Sequence, residues 1–236
     1  MKEDSVKMNK LFVLSGPSSV GKSTLLSKIV EERLCEIAPK YSDREIRKNV
    51  RFDDITSVDK GYIENFCDIK YKMYGNQYGF NTGEINNKLI EKNQITICSH
   101  TGSIKKLRSI FDEKLSVIFI YLQDIRVENL LKAYIEREGL KIDDDELFLL
   151  ANEISKALKK ENKQEFENFN KAFENKIRKY LSDIEFEKFD NRYKSMILFD
   201  EYSINKKILY NYTISGESTN ELLEKCREII KSQEYV

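Results

Sequence analysis

With 236 residues, 40% of them hydrophobic, the chain is long enough to bury a sizeable core, which excludes a disordered chain or a disulfide-stapled miniprotein. Lys+Arg and Asp+Glu both number 40, so the formal net charge is zero and the bulk positive field of a nucleic-acid binder is missing. Cys35, Cys67, Cys98 and Cys226 are widely spaced, form no C-x-x-C pair and are joined by one histidine, His100; this argues against zinc and for buried, reduced thiols in a cytoplasmic protein.

The first ten residues, MKEDSVKMNK, are charged and lack an apolar core, so no signal peptide is expected there, and no apolar run reaches membrane-spanning length. Residues 11–14, LFVL, read as a short buried parallel strand. Gly16-Pro17-Ser18-Ser19-Val20-Gly21-Lys22-Ser23 follows, matching the phosphate-loop pattern G-x-x-x-x-G-K-[ST]. Residues 23–30 then read as a helix with Leu25, Leu26, Ile29 and Val30 on its apolar face. Strand, loop and helix together make an anion cradle. Gly16 and Gly21 free the backbone, and N–H groups from Gly16 through Ser18, Ser19, Val20, Gly21, Lys22, Ser23 and Thr24 can turn inward. In such a cradle Lys22 brings a full charge to the β and γ phosphates of ATP, and the Ser23 hydroxyl ligates Mg²⁺.

Residues 39–47 are rich in charge, and Arg44 and Arg47 lie three apart, a spacing at which two guanidinium forks can converge on one phosphate; taken alone, such a charge run reads equally as a solvated surface. Residues 50–66 have no clear periodicity. Residues 71–80 read as two short strands around the turn dipeptide Gly75-Asn76. A helix is expected over 84–92, with Ile85, Leu89 and Ile90 inward and Thr82 as its cap. Residues 95–98 form a compact β-branched strand, 104–111 a helix, and 115–122, LSVIFIYL, the strongest strand of the chain; a helix over 127–137 ends at Gly139. Strands alternating with helices imply an α/β fold with a central parallel sheet. From Leu140 to about Lys207 the pattern turns helical, with Leu147, Ala151, Ile154 and Leu158 on one face and Phe166, Phe169, Phe173, Ile177, Tyr180 and Ile184 recurring at intervals of three and four. Residues 196–201, MILFDE, have the form of an apolar strand ending in acids.

These motifs, in this order, resemble guanylate kinase. The loop GPSSVGKSTL is similar to the family's form, and Arg44-x-x-Arg47 stands where the family has its phosphate-binding arginine pair. Gly75-Asn76-Gln77-Tyr78-Gly79 resembles G-N-x-Y-G, whose tyrosine contacts the monophosphate. Arg137 falls on a lid arginine, and residues 210–214 and 220–230 resemble the last strand and helix. The family's base-reading positions carry Ile69, Phe80, Ile97 and Ser99 here; one inserted residue brings Asp68 to the glutamate position, and Lys40 stands at the serine before the arginine pair.

The resemblance implies a single P-loop kinase domain: a core over about 8–38, 94–136 and 208–236, an acceptor-binding subdomain over 39–93 and an enlarged helical lid over 137–207. It implies ATP as co-substrate with Mg²⁺ on Ser23, donor phosphates on Gly16–Thr24 with Lys22, and acceptor contacts from Arg44, Arg47, Tyr78 and Asp68. Arg137 would close over the transferred group. The expected acceptor is a small phosphorylated molecule, GMP or dGMP first, with no nucleic-acid or membrane partner. Two alternatives stand beside it: a kinase for a sugar phosphate such as ribose bisphosphate, whose family shares the phosphate loop, and a non-catalytic interaction module, against which the intact Lys22-Ser23 argues. His100 is readable as an acceptor-site donor, a general base or a polar strand end. The oligomeric state is left open.

Overall fold

A computed structural model describes residues 8–16, 20–46, 52–73, 75–122, 209–216 and 218–233, with Asp143, Asp145, Leu149 and Asn152. The chain divides into two compact units. One comprises Met1–Gly16, Gly21–Gln123 and Ser203–Val236; the other comprises Pro17–Val20 and Asp124–Tyr202.

The first unit is built on β1 (Leu11–Ser15), whose five residues are all buried. A strand with partners on both edges and helices over the sheet has no solvated side, which is why it reads as an unbroken apolar run. Its neighbours are β7 (Gln94–Ile97) and β8 (Leu115–Leu122), both parallel to it, with Val13 opposite Thr96 on one side and Val117 on the other. The outer strands β2 (Glu36–Ile37) and β9 (Tyr212–Gly216) complete a five-stranded parallel sheet in the order β2-β7-β1-β8-β9. Parallel pairing needs crossovers, and helices supply them. α1 (Lys22–Glu31) buries Leu25, Leu26 and Ile29, whereas Val30 stays half-buried. The last helix, α5 (Thr219–Ser232), buries Leu222, Leu223, Cys226 and Ile230 and packs against α1, where Arg227 grips Glu32 through both carboxylate oxygens.

A second sheet lies in the same unit, in the order β4-β3-β6-β5. β5 (Ile69–Met73) and β6 (Asn76–Phe80) pair antiparallel around Gly75, whose φ of 77° suits a tight turn. β3 (Lys40–Ser42) pairs antiparallel with β6 and parallel with the two-residue β4 (Thr56–Ser57). α2 (Lys60–Phe66), in the stretch without clear periodicity, starts on an Asp59 cap that accepts from Tyr62 N at 2.8 Å.

Two expectations for the next helix are corrected. α3 spans Thr82–Glu91, and its cap is Asn81, which has extended backbone and accepts from Glu84 N at 3.0 Å; Thr82 is already helical. Ile85 and Leu89, four apart, share the buried face, while Ile90 is turned a further 100° around the axis and is 80% exposed. α4 (Thr101–Phe111) begins three residues earlier than its apolar pattern, because His100 caps it. All four cysteines are buried and lie outside any disulfide. Among the described residues no helix is long and apolar enough to cross a membrane.

In the second unit Asp145, Leu149 and Asn152 are helical, and Leu149 is exposed. The helix expected over 127–137, the remaining helical faces of 140–207 and the strand over 196–201 lie outside the described residues.

Candidate active site

The carboxyl end of β1 opens directly into the glycine loop. Gly16 has φ 138°, and a Cβ there would stand 2.3 Å from the Ile120 carbonyl oxygen, so only glycine lets the chain leave the sheet at this point. Gly21, at φ 89°, caps α1 without a side chain, and the first turn of α1 holds no acid. The positive end of that helix dipole is therefore left without an anion from the helix's own residues, the condition under which a helix N-terminus receives phosphate. Lys22 Nζ donates to Gly16 O at 2.9 Å, holding the ammonium across the base of the loop. Ser99 Oγ donates to the same carbonyl at 3.0 Å and ties the end of β7 to the loop. Ser23 is half-buried, Thr24 exposed and Val20 buried. Pro17, Ser18 and Ser19 are outside the described residues.

A second cluster lies in the second sheet and reaches the carboxyl end of β7. Arg44 Nη2 donates to Asp53 Oδ1 at 2.7 Å, and its Nη1 to Glu45 O at 3.1 Å. Burial opposes the Arg44 charge, but the Asp53 carboxylate overrides it and holds the guanidinium more firmly charged than usual. Lys40 forms an ion pair with Asp54, both side chains at most 10% exposed, and donates to Ile97 O at 2.7 Å. Its ammonium lies 5.4 Å from the centre of the Tyr78 ring. Arg47 and Arg137 lie outside the described residues.

Aromatic rings join the two clusters. Tyr71 stacks on Tyr78 at 5.2 Å and on His100 at 4.9 Å, the latter pair within 7° of parallel. Burial, with Cys98 and Asp54 nearby, pushes the Tyr71 hydroxyl well above its ordinary pKa and keeps it neutral. His100 Nδ1 lies 3.1 Å from Ser103 N, so that nitrogen accepts and the ring's proton sits on Nε2. Burial and Lys106 hold the ring below the usual histidine pKa, hence neutral. In this tautomer Nδ1 is taken up in capping α4 and Nε2 carries the proton, a neutral polar residue between the end of β7 and the start of α4.

Both Asp68 oxygens are engaged at the start of α3: Oδ1 accepts from Thr82 N at 2.9 Å, and Oδ2 from the Thr82 hydroxyl. The two ion pairs were not anticipated from sequence. The adjacent acids Asp53 and Asp54, nine and fourteen residues after the bases they meet, were the available signal.

No family model matches the chain. A solved guanylate kinase from Anaplasma phagocytophilum matches it at a TM-score of 0.55 over 97% of this chain and 87% of that one, at 14% identity. The fold is that of a P-loop kinase. A gluconokinase from Sinorhizobium meliloti 1021 matches at a TM-score of 0.31, with 17% identity, over 61% of this chain and 73% of that one, too distant to refine the comparison. In a P-loop kinase fold the ligand crevice lies beyond the carboxyl ends of the parallel strands, and Gly16, Lys22, Ser99 and His100 all stand at those ends of β1 and β7.

Proposed function

We propose that this protein transfers the γ-phosphoryl group of ATP, with Mg²⁺, to a small phosphorylated acceptor. The observation that carries this is the Gly16–Lys22 loop: two glycines at positive φ, an α1 N-terminus without an acid in its first turn, and an ammonium held against the loop. A scaffold has no use for that arrangement.

The residues suit the donor complex. Among the described residues no cluster of three carboxylate, histidine or thiol groups could hold a metal. Mg²⁺ bound mainly by nucleotide phosphates and water needs only one hydroxyl from the protein, and Ser23 supplies it. Bound there, the ion would neutralise charge on the transferring group. Lys22 would neutralise the donor phosphates, and Arg137 would add charge stabilisation as the lid over 137–207 closes. Arg44, Arg47 and Tyr78 would hold the acceptor phosphate.

A nucleoside monophosphate such as GMP or dGMP is the first acceptor by resemblance. A sugar phosphate is the second, and one observation favours it: Ile69 and Phe80, at base-reading positions, are buried in the second sheet, and Asp68 is engaged by Thr82. Guanine presents N–H donors that apolar side chains leave unmatched, at a cost of about 1–3 kcal/mol each. A coupled ADP-release assay over nucleoside monophosphates and sugar phosphates tests the proposal. ADP release that requires one such acceptor supports it; acceptor-independent hydrolysis alone, or none, removes it.

A further inference from the structure

The chain has one histidine, His100, and its ring is held on two sides. Nδ1 caps α4, accepting from Ser103 N at 3.1 Å and lying 2.9 Å from the Ser103 hydroxyl, while the ring face lies flat on buried Tyr71. A second proton on Nδ1 would set a donor against the Ser103 N–H, so the cap itself favours the neutral ring. Nε2 stands apart from these contacts. It carries the ring's proton, meets no partner among the described residues, and belongs to a half-buried side chain. A Cβ on Gly102 would stand 3.1 Å from Cε1 and 3.8 Å from Nε2, so the missing side chain leaves room at that edge of the imidazole.

The surroundings suggest what such a donor meets. Ser99, the preceding residue, ties the end of β7 to the glycine loop through Gly16 O. Tyr71 carries the stack on to Tyr78, whose ring lies 5.4 Å from the Lys40 ammonium. His100 is thus linked on one side to the loop read as the donor site and on the other to the tyrosine read as an acceptor contact.

On the reading of this crevice as the acceptor site, we infer that His100 is an acceptor-binding residue whose Nε2–H donates to an oxygen of the bound acceptor. Because Nδ1 is committed to the cap, the ring does not switch to the tautomer in which Nε2 accepts. The contact therefore takes an oxygen and rejects an N–H group at the same place, and a site built to hydrogen-bond one substrate group discriminates against analogues without it. The oxygen belongs to the phosphate or to the rest of the acceptor, and the choice of probe separates the two.

A single histidine makes the test free of assignment. Full-length, untagged protein labelled with ¹⁵N-histidine gives one pair of ring nitrogens, read by long-range ¹H–¹⁵N NMR at about pH 7.5, above the ordinary histidine pKa. The free protein should show a protonated Nε2 and an unprotonated Nδ1. GMP and ribose 5-phosphate are added in turn, with methyl phosphate as the probe for a phosphate oxygen alone. At saturation GMP or ribose 5-phosphate should shift Nε2 and slow exchange of its proton while Nδ1 stays in place. The same change with methyl phosphate assigns the contact to a phosphate oxygen; its absence there assigns it to another oxygen of the acceptor. In the ADP-release assay His100→Asn, which keeps an oxygen to cap α4 but has no atom at Nε2, should raise the KM of that acceptor by about three- to tenfold, the scale of one neutral hydrogen bond, with the ATP KM unchanged. A purely structural role would lower Tm without separating the two constants. An unmoved Nε2 signal, or an unchanged acceptor KM in the variant, with acceptor-dependent ADP release intact, overturns the inference and leaves the proposed function standing. ADP release with neither acceptor overturns the acceptor reading of the crevice and the inference with it. Should His100→Asn fail to fold by circular dichroism, the wild-type NMR result decides alone.

Discussion

Replacing Gly16 with alanine should be the most damaging single methyl added to any of the three positive-φ glycines among the described residues, and the structure says by how much. At Gly75, φ is 77° and a Cβ would meet nothing within 4 Å, so Gly75→Ala carries only the left-handed penalty of about 1–2 kcal/mol. At Gly21, φ is 89° and the nearest atom would be Thr219 Oγ1 at 3.8 Å, ordinary contact, so the same penalty applies. At Gly16 the strain of φ 138°, about 1–3 kcal/mol, is joined by a collision at 2.3 Å with the backbone oxygen of Ile120 in the adjacent strand β8. That oxygen cannot rotate away as a side-chain tip does, so β1 or β8 must shift, and the total should exceed about 3 kcal/mol by the usual scale of core overpacking. For a domain of this size each kcal/mol lowers Tm by about 2–4 °C. Differential scanning fluorimetry should place Gly16→Ala at least about 6 °C below wild type, with Gly75→Ala within about two-thirds of that fall. Equal Tm values for the two variants would refute the argument that the loop leaves the sheet through a position only glycine can occupy.

Three further outcomes follow from the site. Arg44→Ala should raise the acceptor KM by about ten- to a hundredfold, the loss of one charge-assisted contact, and leave the ATP KM nearly unchanged, as read from initial rates with each substrate varied in turn. Lys40→Met or Asp54→Leu alone leaves its buried partner uncompensated and should cost about 3–5 kcal/mol, whereas the double variant should recover most of it, by urea unfolding in a double-mutant cycle. His100 is held below the ordinary histidine value, so the unfolded chain takes up its proton first as the pH falls; the stability linked to His100 is full above about pH 6.5 and declines below it. His100→Asn, which keeps a capping side chain, should flatten the unfolding midpoint between about pH 7 and 5.5 relative to wild type.

The parallel core was legible because its physics is local. β1 and β8 are apolar runs with no polar side, and α1 and α5 repeat their buried residues at helical spacing. The phosphate loop was legible because glycine, lysine and serine at fixed spacing need only the strand before them and the helix after them. The second sheet was half legible: the Gly75 turn announces β5 and β6, but β4 is two residues long and α2 only seven, too short for a period to show. Caps were misassigned where two candidates adjoin; Thr82 and Asn81 are both good caps, and the choice fell to Asn81 because Thr82 is held by Asp68 across fourteen residues. The Lys40–Asp54 and Arg44–Asp53 pairs depend on how β3 folds against the following loop, which no sequence period encodes.

The claim on which everything else depends is that residues 16–23 hold nucleotide phosphates through Lys22. Calorimetric titration of wild type and Lys22→Ala with Mg²⁺-ATP tests it most directly. Lys22 is half-buried and lies at the loop rather than in the core, so the variant should keep the wild-type circular dichroism and Tm. The account predicts one-to-one binding to wild type that weakens by at least about tenfold in Lys22→Ala, the worth of one charged contact. Equal affinities in two folded proteins, or no binding to wild type, would contradict it.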